Sequence, residues 1–257
     1  MRAIWTGSIG FGLVNIPIKM YSAVEESTLD LDMLDKKDHS NIQFKRVNEK
    51  TGKEVAWENI VKGYKVEGDY VILTDEDFKK ASPEKTKTVD IAEFVQMEAV
   101  PPIHFDTSYY VEPEKNGGKA YVLLRDALVK SKKAALGTFV LRSKENLCLI
   151  TPSDKILVLH KIRYAQEIRS TEDIKVPEAK VSSPEIQMAI KLIDQLTGKF
   201  DISKYKDTYT DTLLKFIQAK AKGKKFEAPK LHVAHSRSKD LMEELKASLS
   251  QVKRKAS

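Results

Sequence analysis

The chain has 257 residues, 41% of them hydrophobic, a formal net charge of +7 and one cysteine, which suits one or two domains with a real core. No apolar run approaches the roughly 18 residues needed to span a membrane, and no apolar stretch follows Arg2 in the manner of a signal peptide. A lone cysteine excludes an intrachain disulfide and suits a reducing compartment, so a cytoplasmic protein is expected.

The first element is Arg2–Ala23, RAIWTGSIGFGLVNIPIKMYSA. Gly7, Gly10 and Gly12 alternate with Ile4, Ile9, Phe11, Leu13 and Ile16. The period near 2 predicts an irregular strand, with bulges or close backbone approaches at the glycines, opening a β-rich core. The spacing is not that of a dinucleotide loop, and Pro17 stands where a helix would have to run.

Tyr64–Val66 and Tyr70–Leu73 flank Glu67-Gly68-Asp69, which predicts a hairpin. Thr74 then reads as the N-cap of a short helix with Asp75, Glu76 and Asp77 in its first turn. Three carboxylates together invite a metal or acid–base reading, but capping and the positive helix end account for them. A helix is predicted from Lys119 to about Lys132, with Ala120, Leu123, Leu124, Ala127 and Leu128 on its inner face. Leu136–Leu141, Leu147–Ile150 and Ile156–Ile162, separated by SKEN and TPSDK, predict a three-stranded meander. Cys148, within NLCLI, reads as a small buried hydrophobe, and His160, within ILVLHKI, as a strand residue with a satisfied ring.

From Ser183 the period becomes helical, with Ser183 as cap and Pro184 at the first position. Ile186, Ala189, Ile190, Ile193 and Leu196 form an apolar stripe that Gly198 ends. A second helix is predicted over about 206–222, with Leu213, Leu214 and Ile217 inside. Residues 224–237 read as a basic linker containing Pro229, and 238–257 as an amphipathic helix. Its apolar residues Leu241, Leu245, Leu249 and Val252 recur near one face and are the candidate partner-binding residues.

Charge is unevenly spread. Residues 36–65 carry eight basic and four acidic side chains, residues 119–144 seven and one, and residues 215–257 twelve and four, whereas residues 67–114 carry twelve acidic and four basic. Basic islands on an otherwise near-neutral body suit a localised polyanion-binding surface. The five histidines are scattered; His232 and His235 are three apart but lack a third ligand nearby, so no metal or cofactor is expected. No phosphate-binding or hydrolase signature occurs, which favours a binding protein over an enzyme.

Residues Trp5–Tyr21 read W-x-G-x-I-x-F-G-L-V-x-I-P-x-K-x-Y, which resembles the opening of the prokaryotic Ku proteins, the end-binding factors of bacterial non-homologous end joining. IVKGYKVEGDYVILTDEDF (60–78), FVQMEAVPPIHFDTSYYVEP (94–113), KAYVLLRDAL (119–128) and LIDQLTGKFDISKYKDTY (192–209) are similar to the same family in the same order. Some members carry C-x-x-C near residues 46–53; RVNEKTGK stands there instead, so no zinc knuckle can form at that place.

The resemblance implies a mixed β and α fold: a Ku-type β-barrel core with an arching bridge segment, followed by C-terminal helices. On this expectation residues 1–175 form the core, with the bridge at about 40–64, and 176–223 form a helical arm before the linker. It also implies a non-enzymatic, nucleoid-associated homodimer that rings double-stranded DNA ends and recruits the ATP-dependent DNA ligase D through its C-terminal region. Many relatives end in a long lysine-rich extension, whereas this chain stops soon after Lys253-Arg254-Lys255. The bridge cations Lys45, Arg46, Lys50, Lys53 and Lys62, approached by Lys36 and Lys37, are the leading DNA-contact candidates. Arg142 and Lys144, on the meander, are secondary ones. Two other classes stay open on the residues alone: a sequence-tolerant RNA-binding module, and a hydrolase using carboxylates of the stretch 67–114.

Overall fold

The computed structural model describes residues 1–25, 28–81 and 87–226, together with 242, 243, 245–248 and 250. The chain divides into two compact units, Met1–Glu26 with Asp30–Ser170, and Ser27–Leu29 with Thr171–Ser257.

The first unit is built on a closed barrel. Its seven strands are β1 (Trp5–Phe11), β2 (Val14–Ser22), β5 (Thr88–Gln96), β6 (Phe105–Pro113), β7 (Lys133–Leu141), β8 (Lys144–Ser153) and β9 (Ile156–Ile162). Around the barrel they run β1-β2-β6-β9-β8-β7-β5, and β5 closes on β1 in parallel over three residue pairs. Closure removes the free edges that an open sheet would expose. The predicted opening strand is in fact two strands. Phe11 pairs with Val14 across a two-residue turn, with Gly12 at φ +58°. A positive φ at that position matches the right-handed twist of a hairpin. Leu13 kept up the apolar alternation that hid the turn, yet it is fully exposed. Gly7 is a true close approach: a Cβ there would lie 2.2 Å from the Lys87 carbonyl oxygen.

Alternate residues point inward. Ile9, Ile16, Ile18, Met20, Val89, Val111, Phe139, Cys148, Ile150, Leu157 and Leu159 fill the barrel. At roughly 1.5–3 kcal/mol for each large side chain removed from water, this packing is the main stabilising term. Cys148 is wholly buried, and desolvation pushes its thiol up to about 12, as suits an inert core residue. Where β5 begins, the Trp5 indole Nε1 donates to the Val140 carbonyl at 3.0 Å and so ties β1 to β7.

Helix α2 (Gly118–Ser131) packs against one end of the barrel through Tyr121, Leu124 and Leu128. The predicted inner face is rotated from this, because Leu123 and Ala127 are exposed. Tyr121 sets the rotation. Its hydroxyl donates to the Val111 carbonyl and accepts from the Leu157 N–H, both at 2.6 Å, and so satisfies its polar end inside the core. The meander is as predicted, but its turns are tighter: Arg142-Ser143 and Asp154-Lys155 each span two residues.

His160 is half-buried on β9, with Ser108 Oγ 2.9 Å from Nδ1 and Thr151 Oγ1 2.9 Å from Nε2. Both ring nitrogens are therefore satisfied, as expected of a strand histidine. Burial holds its pKa below the ordinary histidine value. A base depressed on folding contributes stability fully above its unfolded pKa, and that stability is lost as pH falls through the folded value. Denaturant unfolding should thus show a loss of stability below about pH 6.5 that His160→Gln reduces. An unchanged pH dependence in the variant would assign that loss to other groups.

Between β2 and β5 the described residues 24, 25 and 28–81 contribute no barrel strand. This excursion carries two isolated bridges, Leu34 with Asn41 and Val47 with Glu54, and a 3-10 turn at Trp57–Asn59. It continues into the predicted hairpin, β3 (Lys62–Val66) and β4 (Asp69–Leu73), joined by Glu67-Gly68 with positive φ at both turn residues. Helix α1 (Asp75–Ala81) follows. Thr74 caps it: Thr74 N and Oγ1 donate to Asp77 Oδ2 at 2.9 and 2.7 Å. These bonds hold the Asp77 carboxyl below its ordinary range, and they commit Asp77 to the helix cap.

The second unit contains α3 (Ser183–Leu196) and α4 (Thr208–Ala221). The cap of α3 is Ser182, one residue earlier than predicted, because Glu185 reaches back to Ser182 N and Oγ in a capping box. Asp207 caps α4 by accepting from Tyr209 N and Thr210 N. The predicted stripes are at the predicted positions but are not buried: Ile186, Ile190, Ile193, Leu196, Leu214 and Ile217 are all exposed, and Leu213 is partly so. Residues 242, 243, 245–248 and 250 are helical, and Leu245 is partly buried. Leu241, Leu249, Val252, His232, His235 and most of the predicted linker lie outside the described residues.

Candidate nucleic-acid interface

The candidate cations fall on two elements. The first group lies on the excursion. Lys36 and Lys37 sit on an exposed turn whose backbone is tied by Asp35 Oδ1 accepting from Lys37 N at 2.7 Å. Arg46 and Val55 are joined through the backbone, as are Asn48 and Lys53, so Lys45, Arg46, Lys50 and Lys53 share one hairpin-like loop. Its tip is rigidified by Asn48 Oδ1, which accepts from Lys50 N and Thr51 N at 3.0 Å each. Lys45 Nζ pairs with Glu54 Oε2 at 2.8 Å, a well-exposed pair that holds little energy. The Arg46 guanidinium lies 4.5 Å from the centre of the Trp57 ring, and Lys62 Nζ lies 4.7 Å from that of Phe78. Both cations are thereby held by aromatic faces while remaining charged.

The second group is on the barrel. Arg142 is in the β7–β8 turn and Lys144 is the first residue of β8. They line a cavity of about 620 Å³ together with Lys161, which was not among the candidates. Lys161 lay hidden in an apolar strand, ILVLHKI. Strand parity could have found it, since its neighbours Ile162 and His160 point the other way. Lys161 Nζ binds Asp106 Oδ2 at 2.8 Å, and Asp106 also binds Arg163 at 3.3 Å. This network keeps Asp106 below the ordinary carboxylate range and Lys161 above the ordinary lysine value. Arg163 further donates to the Ile103 and Phe105 carbonyls and so anchors the segment before β6.

The candidate cations Lys36, Lys37, Lys45, Arg46, Lys50, Lys53, Lys62, Arg142 and Lys144 are all exposed. Lysines and arginines that reach phosphates supply affinity without reading bases. Among the described residues, no group of three or more His, Cys, Asp or Glu side chains is placed to hold a metal ion, and no helix is long and apolar enough to cross a membrane.

Comparison with known proteins gives a consistent result. Residues 10–188 match the model of the Ku70/Ku80 β-barrel domain family. Several curated proteins named non-homologous end joining protein Ku are similar over most of the chain. That of Bacillus subtilis is 43% identical over 228 residues, covering 87% of this chain and 73% of its own. That of Pseudomonas aeruginosa is 40% identical over 225 residues, covering 86% and 77%. That of an Anaeromyxobacter species is 40% identical over 257 residues, covering 99% and 87%. Among solved structures, the SPOC domain of human PHD-finger protein 3 is 11% identical, with a TM-score of 0.30, over 63% of this chain and 95% of that one; a likeness so low bears on nothing further.

Proposed function

We propose, from the premise that this chain belongs to the Ku family of non-homologous end joining proteins, that it is a homodimeric ring that binds double-stranded DNA by its ends. Family membership makes it a binding protein rather than an enzyme, which sets aside the hydrolase reading. The observation that carries the proposal is the excursion between β2 and β5. Its described residues lie outside the barrel strands, are mostly exposed, and carry the basic island. A break has no sequence signature, so its binder must avoid reading bases and take its affinity from phosphates. A closed ring adds end preference, because it can load only where the duplex stops. A gel-shift comparison of linear and covalently closed DNA of identical sequence tests this; equal retention of both forms would contradict it.

Two copies are required, since one barrel with one excursion cannot surround a duplex. The exposed apolar residues support pairing. A two-stranded sheet is marginal by itself in water, yet Tyr64, Val66, Val71 and Ile72 on β3 and β4 are open to solvent. The stripes on α3 and α4 are equally uncovered. Twofold pairing of identical chains is the commonest way to close such surfaces. The assembly is proposed to act in the bacterial cytoplasm at the nucleoid.

The C-terminal segment is proposed to recruit the ATP-dependent DNA ligase D. Its spacing of Leu241, Leu245, Leu249 and Val252 supports a helix that lays one apolar face into a partner groove. Truncation after Arg237 should leave folding, dimerisation and loading on linear DNA intact while reducing ligation. The comparison is made at saturating DNA occupancy, because the truncation also removes Lys239, Lys246, Lys253, Arg254 and Lys255. Undiminished ligation would refute the recruiting role.

A further inference from the structure

We propose that the open mouth of the β-barrel is a binding site for a nucleoside monophosphate unit, either as a free nucleotide or as the 5′ terminus of a DNA strand. The two ends of the barrel differ. At one end lie the β1–β2 turn, the end of β6 and the start of β9, and there Tyr121 of α2 bonds to Val111 and Leu157. That end is stoppered. At the other lie the start of β1, the end of β2, the β7–β8 turn and the end of β9, away from Tyr121.

The cavity of about 620 Å³ opens at this second end. Its size is that of a small-molecule site, and barrel mouths are among the places where such sites form. Three cations, Arg142, Lys144 and Lys161, line it with the polar side chains of Ser22, Thr107 and Asn146. Asp106 stands beside it but is committed to Lys161 and Arg163, which also fixes the Lys161 ammonium in place. Asn146 is 6% exposed, and its Nδ2 donates to the Lys144 carbonyl at 2.7 Å, so the strand carrying Lys144 is braced from within. Ile4, Trp5, Tyr109 and Leu141 form the remaining wall, and the Trp5 ring is held by the bond from Nε1 to Val140. Cations are the chemistry that binds a phosphate; an indole beside them is the chemistry that takes a base. A second cavity of about 650 Å³, beside α2, offers a different lining: it is rich in tyrosine, and its Arg125 is engaged by Asp126 and the Lys155 carbonyl.

The DNA-terminus source rests on the end-binding reading above; the free-nucleotide source does not. The test titrates dAMP into the full-length protein by calorimetry, with deoxyadenosine and inorganic phosphate as comparators. In parallel, gel shifts compare 5′-phosphorylated and 5′-hydroxyl linear duplexes. dAMP should bind at least about tenfold more tightly than either comparator, a difference of about 1.4 kcal/mol. Lys144→Glu and, separately, Thr107→Glu should each weaken dAMP about tenfold or more, with circular dichroism confirming that each variant is folded. A preference for the 5′-phosphorylated duplex that Thr107→Glu abolishes assigns the site to the DNA terminus; dAMP binding without such a preference assigns it to the free nucleotide. The proposal is overturned if dAMP fails to bind at millimolar concentration and the duplex ends are not distinguished. It is also overturned if inorganic phosphate binds as well as dAMP, or if the folded variants bind dAMP as the parent does. Failure of every linear duplex to bind would strike the end-binding reading alone and leave the dAMP titration to judge this one.

Discussion

Changing Lys45, Arg46, Lys50 and Lys53 together to Glu is expected to weaken duplex binding by at least about 10³-fold at about 0.1 M salt. The magnitude follows from counterion release. Each neutralised phosphate contributes a slope of about −0.9 in log affinity against log salt, so the four contacts of one protomer alone are worth more than three decades between about 1 M and 0.1 M. The existing partners of these side chains do not blunt the effect. Lys45 and Glu54 form an exposed pair that a phosphate can displace at small cost, and Arg46 keeps its charge while stacked on Trp57. Salt titrations of the parent and the variant should therefore give different slopes, the variant's being shallower by up to about 3.6 for each protomer of the ring, about 7.2 in all. Lys79 and Lys80, on α1 beside three carboxylates, provide the comparison. If their reversal is equally damaging, the contact surface is not centred on the loop that carries Lys45, Arg46, Lys50 and Lys53.

The second large effect concerns assembly. Sedimentation of the parent should give about 58 kDa, twice the 29.1 kDa chain mass. Tyr64 and Val71 are directly paired across β3 and β4 and share one exposed face. Placing a lysine at each sets two like charges opposite one another and against their counterparts in the second copy, which is costly at a desolvated interface. The double variant Tyr64→Lys/Val71→Lys should sediment at the chain mass and lose end retention with it. A variant that stays dimeric would move the pairing surface to other residues, α3 and α4 being the next exposed stripes. A parent protein that is a stable monomer and still binds ends would contradict the ring itself.

Much of the barrel was legible because its strands obey the simplest rule of packing, one face in and one face out. The meander and the β3–β4 hairpin were found from alternation and turn residues alone. Two misreadings have specific causes. Leu13 is apolar and continues the period, so composition could not separate the two strands that Gly12 and Leu13 join; only pairing reveals the turn. On α2, the predicted inner face took in Leu123 and Ala127 and left out Tyr121, whereas the fold buries Tyr121 because two backbone groups satisfy its hydroxyl. The candidate interface was legible as charge but not as geometry. The loop that unites Lys45, Arg46, Lys50 and Lys53 depends on backbone bonds and on Asn48, which leave little periodic trace. The convergence of Lys161 on Arg142 and Lys144 depends on the register of the meander, which sets the end of β9 beside the β7–β8 turn. The exposed stripes of α3 and α4 show the converse case, in which amphipathic pattern predicts an element correctly and says nothing about what covers it.

The central claim is enclosure, and topology tests it most directly. Protein is loaded on linear duplex, the duplex is then ligated into a circle, and the salt is raised to about 1 M, where phosphate contacts alone no longer hold. A ring predicts that protein stays with the circle and is released when the circle is cut once. Complete loss of protein from the intact circle at high salt would show that the chain binds DNA without surrounding it.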